Sequence, residues 1–265
     1  MKYTVIASGR SADILSLGDH QVLKLFNADL PEQLIHEEFA ISNSVYKLGI
    51  DCPAPINITE YNGRIGIIYT RVHGMTMLNL ISKKFWRLSR EAIRLARIHL
   101  RIHSHTISNI PKQKEVLSER IIQAPILLAK EKQQIFNHMN QLKDDTKLCH
   151  GDFHPDNIIL SEQNEWIIDW MTGMEGNPAG DVARSFLILK LGRLSEKTPK
   201  LISTIGSQIR HLISSKYLDE YLKNSMISKH EVDDWMIPVA AARLNERIPE
   251  VEKQELVELI RKRIG

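Results

Sequence analysis

Cysteine is scarce in this chain: among 265 residues only Cys52 and Cys149 occur. Two thiols cannot build a disulfide framework, which points to a reducing compartment. Excess charge of one sign is equally absent. Thirty-five Lys and Arg against 32 Asp and Glu leave a formal charge of +3, with acids and bases interleaved. That excludes the basic footprint of a nucleic-acid-binding protein. No apolar run approaches the ~20 residues of a membrane helix, and no targeting segment, internal repeat or low-complexity tract is visible. A soluble, cytoplasmic protein without a nucleic-acid or membrane partner is expected. The glycine pattern G-x-G-x-x-G is missing, as is the tripeptide Ala-Pro-Glu. What remains is an ordinary globular composition, 43% hydrophobic and 25% charged, in a chain long enough for one domain or two closely joined lobes.

The most informative stretch is His150-Gly151-Asp152-Phe153-His154-Pro155-Asp156-Asn157. After it come two β-rich runs, Asn157 to Leu160 and Glu165 to Asp169, separated by the polar turn Ser161-Glu162-Gln163-Asn164. A hairpin centred between Glu162 and Gln163 sets Asn157 opposite Ile168. Asn157 and Asp169 then share the open end, and both offer oxygen, the donor type that magnesium takes. Asp152 stands five residues before Asn157, within reach of the same place without being a ligand. Taken singly, these residues are ordinary turns and a strand end. Together they are the parts phosphoryl transfer needs: a carboxylate for the acceptor hydroxyl, and an amide and a second carboxylate for the metal. Cys149 beside His150 invites a catalytic-thiol reading, but a small buried residue before the loop explains it as well.

The first seventy residues carry short strand-like runs: Tyr3 to Ala7, Asp13 to Leu17, Gln21 to Phe26, Ile56 to Tyr61 and Arg64 to Tyr69. Turns at Gly18-Asp19 and Asn62-Gly63 link two pairs, so a small antiparallel sheet is predicted. One helix interrupts it, with Pro31 near its first turn and Gly49 just past its end. Lys24 shares a strand face with Val22 and Phe26. Glu38 falls on an apolar helix stripe with Leu34, Ile41, Val45 and Leu48. Either Lys24 snorkels from an edge strand and Glu38 is partly covered, or the two pair in the interior, which resolves the cost of both charges. The turn Ser8-Gly9-Arg10-Ser11-Ala12 offers backbone N–H groups to a nucleotide, though alone it is an ordinary turn.

Lys24, Glu38, the His150–Asn157 loop and Asp169 together resemble the kinase-like phosphotransferases of the aminoglycoside phosphotransferase and choline kinase group. The resemblance spans nearly the whole chain. His150-Gly151-Asp152 has Gly where protein kinases have Arg, and Ile168-Asp169-Trp170 stands where they have Asp-Phe-Gly. It implies an α+β, bilobal protein-kinase-like fold: a nucleotide-binding lobe over 1–72, a hinge at about 69–74, and a mostly helical lobe over 73–265. It implies ATP-dependent transfer to a hydroxyl of a small polar molecule, with Mg2+ and with GTP not excluded. A protein kinase-like enzyme and a catalytically silent nucleotide-binding regulator are the alternatives.

By the same resemblance Asp152 is the catalytic base, Asn157 and Asp169 hold magnesium, and Lys24, held by Glu38, contacts the α/β-phosphates. Gly9 and Ser11 belong to an abbreviated nucleotide loop. The Thr70 carbonyl and Val72 amide meet the adenine edge, with Val22 and Ile159 on either side of the ring. His150 and Asp181 support the site, and His154 either organises the loop or approaches the acceptor.

Further along, Leu88, Ala92, Leu95, His99 and Ile102 form one helix stripe. His99 and His103 are four apart, but no Glu or Cys on that face completes a metal set. Helices are predicted over Glu115–Leu142, kinked at Pro125, over Asp181–Leu191, and through the C-terminal region. The alternating charges of Glu252–Arg263 read as a solvated face. Asp219, Glu220, Glu231, Asp233, Asp234 and Glu246 are the acids available to a cationic acceptor.

Overall fold

The computed structural model describes residues 4–9, 11–192 and 200–264; Tyr3 and Arg10 lie outside them. The chain forms two compact units, Met1–Lys83 with Pro155–Gly173, and Lys84–His154 with Met174–Gly265.

In the first unit, strands β1 (Thr4–Ser8), β2 (Ala12–Ser16), β3 (Gln21–Phe26), β4 (Pro55–Tyr61) and β5 (Arg64–Thr70) form an antiparallel sheet in the order β1-β2-β3-β5-β4. Alternation sorts β3 cleanly. Leu23 and Leu25 join Leu15 on one side, while Phe26 joins Ala12, Ile35, Ile67 and Tyr69 on the other, with Val22 half-buried against them.

Helix α1 (Glu32–Lys47) lays Ile35, Glu38, Ile41, Ser42 and Val45 inward. The predicted stripe is corrected by one residue at its start: Leu34 is 40% exposed and Ile35 only 2%. Both are apolar, so pattern alone could not choose between them. Strand β6 (Met75–Thr76) leads into α2 (Met77–Lys83) and pairs with the hairpin further along the chain.

The second unit is mainly helical. Helices α3 (Leu88–His103), α4 (Gln113–Gln123) and α5 (Ala129–Gln141) precede β7 (Lys147–Cys149). The single kinked helix expected over Glu115–Leu142 is instead two. Ala124 is extended (φ −62°, ψ 116°) before Pro125, because the proline ring disfavours the helical conformation of the preceding residue.

The hairpin returns the chain to the first unit as β8 (Ile158–Leu160) and β9 (Glu165–Ile167), with Ile158 opposite Ile167. Strand β10 (Met174–Gly176) pairs antiparallel with β7. Then come α6 (Pro178–Leu191), α7 (Lys200–Lys223), α8 (Lys229–Arg243) and α9 (Glu250–Ile264). Asn177 caps α6, its side-chain oxygen accepting from the Ala179 amide at 2.8 Å. Among the described residues no helix is long and apolar enough to cross a membrane.

Candidate active site

Lys24 is buried on β3, and its ammonium donates to Glu38 Oε1 and to Asp169 Oδ1, each at 2.7 Å. Burial alone would lower its pKa, but Asp169 and Glu38 outweigh it and hold the amine above its ordinary value. Burial raises the Glu38 carboxyl, opposed by Lys24. Tyr69, expected only as a strand end at the hinge, donates from its hydroxyl to Glu38 Oε1 at 3.1 Å and lies 3.2 Å from Ser42 Oγ. Its place at the inward end of an alternating strand was the available signal. Lys24 is thus an oriented cation between two carboxylates, the arrangement a phosphate-contacting amine requires.

Asp169 adopts the left-handed conformation (φ 66°, ψ 65°), uncommon without glycine, while its side chain stays 40% exposed. At the open end of the hairpin the Ile168 amide donates to the Asn157 carbonyl at 3.0 Å, the expected register. The Asn157 side chain is buried. An amide oxygen and a partly exposed carboxylate at one hairpin end are hard donors of the kind magnesium takes, and the set fits that ion.

The other residues expected from the sequence to meet a nucleotide also lie in the first unit. The Gly9 amide donates to the Ala12 carbonyl at 2.8 Å, closing the turn that contains Ser11. Thr70 ends β5, its Oγ1 accepting from the Ala54 amide at 2.8 Å, and Val72 follows it. Val22 is half-buried beside Lys24; Ile159 is half-buried on β8, opposite Trp166 and Thr76.

The loop carrying Asp152 belongs to the second unit. Asp152 Oδ1 accepts from Arg184 Nη2 at 3.0 Å, and His154 Nε2 lies 3.4 Å from Oδ2. Burial would raise this carboxyl. His154 and Arg184, with a contribution from His150, instead hold it well below the usual carboxylate range. Gly151 has φ +74°, a conformation that suits glycine and not a branched or long side chain.

The backbone here is held from behind. Asp181 Oδ2 accepts from the His150 amide at 2.6 Å and Oδ1 from the Gly151 amide at 2.9 Å. The His150 ring accepts from the Asp152 amide at 3.2 Å. Cys149 is fully buried, which pushes its thiol well above the ordinary value and leaves it no nucleophilic role.

Asp181 also corrects the reading of His99 and His103. A carboxylate does converge on them, from α6 and not from their own helix face: both Nε2 atoms point at Asp181 Oδ2, at 3.0 and 3.3 Å. The three could in principle hold an ion. However, His99 Nδ1 is 2.6 Å from Tyr217 Oη and His103 Nδ1 is 2.7 Å from Tyr221 Oη. Burial and His103 push His99 down to about 3, so it is neutral. With Nε2 donating to Asp181 and Nδ1 accepting from a tyrosine hydroxyl, each ring has both nitrogens satisfied without a metal.

Several of the acids considered for a cationic acceptor are engaged. Glu220 pairs with Arg97 at 2.8 Å, Asp233 with Arg263 at 3.5 Å, and Glu246 with both Arg184 at 2.6 Å and Arg243 at 2.9 Å.

The sequence matches the model of the phosphotransferase enzyme family over residues 2–193. No curated protein sequence matches it. Among solved structures, a thermostable mutant of aminoglycoside phosphotransferase APH(4)-Ia, in ternary complex with ADP and hygromycin B, aligns with TM-score 0.68 and 13% identity. That alignment covers 100% of this chain and 95% of the other. An aminoglycoside-3'-phosphotransferase of type VIII gives 0.63 at 15% identity over 91% and 93%. A choline/ethanolamine kinase family protein from Mesorhizobium loti gives 0.62 at 10% identity over 99% and 86%. At such identities the likeness concerns the fold, which is α+β and protein-kinase-like.

Proposed function

The chain belongs to the phosphotransferase enzyme family, and on that premise we propose that it moves the γ-phosphoryl group of ATP to a hydroxyl of a small polar molecule. The observation that carries this reading is the Lys24 ammonium, buried and shared at 2.7 Å by Glu38 and Asp169. A buried lysine fixed in this way has its charge placed in advance for phosphate oxygens, and no rearrangement is needed when they arrive.

In this proposal Asn157 and Asp169 hold magnesium, which when bound neutralises charge on the phosphate oxygens. Lys24 meets the α/β-phosphates and Glu38 keeps it in place. Gly9, Ser11, Val22, Thr70, Val72 and Ile159 receive the nucleotide. Asp152, ionised through most of the working pH range, accepts the hydrogen bond of the acceptor hydroxyl and orients its oxygen for in-line attack. His150 and Asp181 hold the loop that carries it. The cytoplasm is the proposed setting.

A coupled ADP-release screen tests the reading, using magnesium with ATP or GTP against aminoglycosides, choline, homoserine and thiosugars. Acceptor-dependent ADP release is the expected result. Nucleotide binding with no turnover on any acceptor would identify a silent regulator instead.

Asp169→Ala provides a separate check on the metal assignment. It should weaken magnesium-nucleotide binding by about tenfold or more, or roughly 1.4 kcal/mol, while Lys24 retains Glu38. An unchanged magnesium titration in this variant would remove Asp169 from the ligand set.

A further inference from the structure

Behind Asp152 lies a run of alternating carboxylates and guanidinium groups that the proposed chemistry does not use. Arg184, on α6, is 9% exposed and spans two acids, with Nη2 on Asp152 Oδ1 at 3.0 Å and Nη1 on Glu246 Oε1 at 2.6 Å. Glu246, just beyond α8, takes Arg243 Nη1 on its second oxygen at 2.9 Å. Arg243 in turn donates from Nε and Nη2 to Glu252 Oε1 at 2.9 and 2.6 Å. Glu252, predicted from sequence to face solvent, is 1% exposed.

Five charged side chains therefore form one ladder, Asp152–Arg184–Glu246–Arg243–Glu252, from the loop through α6 and α8 to α9. Burying this many charges is expensive, and hydrophobic replacements could pack the same helices at lower cost. What an apolar core could not do is fix the direction of a single carboxylate, and planar guanidinium forks do that well.

We propose that Arg184 is a positioning residue: anchored through Glu246 and Arg243 to Glu252 on α9, it fixes the orientation in which Asp152 presents its carboxylate to the acceptor. This rests on the reading of Asp152 as the residue that receives the acceptor hydroxyl. Because the anchor is a fork with one acid on each arm, the charge of a lysine at 184 would not replace it.

The test is ADP release from magnesium-ATP, with water as the acceptor, measured across pH. Arg184→Gln and Arg184→Lys should each lower turnover by about 10²-fold, the scale of a misplacement near 1 Å, with KM for ATP unchanged. In Arg184→Gln the acid limb should also move to higher pH. Asp152 is faced by His154 on its own loop, His150 before it, Arg184 from α6 and, at longer range, Arg120 from α4. Removing the guanidinium leaves the others in place and lets the carboxyl rise.

In an Asp152→Asn background, Arg184→Gln should cost almost nothing more, because a residue acting through another has no separate effect. Glu246→Gln, which releases only the far end of the fork, should give a smaller loss of the same kind; it decides the matter if the Arg184 variants do not fold. Full turnover with an unmoved acid limb overturns the proposal, as does an Arg184→Gln loss of equal size in the Asp152→Asn background. If Asp152→Asn alone leaves turnover intact, the base assignment fails first, and the proposal with it.

Discussion

Asp152→Asn is expected to lower turnover by about 10²- to 10⁴-fold, the range that positioned acid–base groups contribute, while the affinity for magnesium-ATP stays near that of the wild type. The reason lies in where the proposed roles fall along the chain. Lys24, Glu38, Asn157 and Asp169 all belong to the first unit, and Asp152 to the second. A change at Asp152 therefore leaves the proposed nucleotide contacts intact.

The fold should tolerate the variant. Arg184 keeps its 2.6 Å bond to Glu246, and asparagine fills the same space. In the wild type, His154 and Arg184 hold the carboxyl well below its ordinary 3.8 despite burial. The ionised form thus persists as pH falls, and the Asp152 contribution to the rate should be flat between about pH 5 and 8. A single-turnover measurement at saturating ATP isolates the chemical step. Wild-type turnover in Asp152→Asn would remove the residue from catalysis.

The hairpin was legible in the sequence because a polar four-residue turn between β-rich runs fixes its own centre, and with it the pairing of Asn157 and Ile168. Lys24 and Glu38 were legible for a different reason. Each breaks an apolar pattern, and a buried charge calls for a partner of the opposite sign.

The residues that escaped notice are those whose partners come from distant elements. Arg184 lies three positions after Asp181 on a helix that is buried almost all round, so no periodicity marks it. Glu252 sits in a run of alternating charges that looks solvated, and only the approach of Arg243 from α8 explains its burial. Asp181 could not be joined to His99 and His103 from spacing, since 82 and 78 residues separate it from them. Local patterns report local geometry; ion pairs across helices depend on packing, which is decided at the level of the whole unit.

Asp181→Asn should be the most destabilising of the conservative changes, by about 3–5 kcal/mol, the scale of breaking a buried charged network from one side. On a chain of this size that corresponds to a fall in Tm of roughly 10 °C. The carboxylate accepts from two backbone amides and two imidazoles, and its own side chain is fully buried. An amide has one oxygen for these donors and turns its NH2 toward others, leaving buried N–H groups without acceptors.

The pH dependence follows from the direction of the shift. Burial opposes ionisation, but His99 and His103 hold the Asp181 carboxyl well below its ordinary 3.8. Its stabilisation is then fully present above that value and is lost as pH falls through the lower folded-state pKa. The difference in Tm between wild type and Asp181→Asn should be constant near neutrality and shrink only in strong acid. Calorimetry with and without a chelator separates the hydrogen-bonded network from a metal site formed by the same three side chains. An unchanged wild-type Tm in chelator is the outcome expected here, and a fall would show that an ion, and not the tyrosine hydroxyls, completes the group.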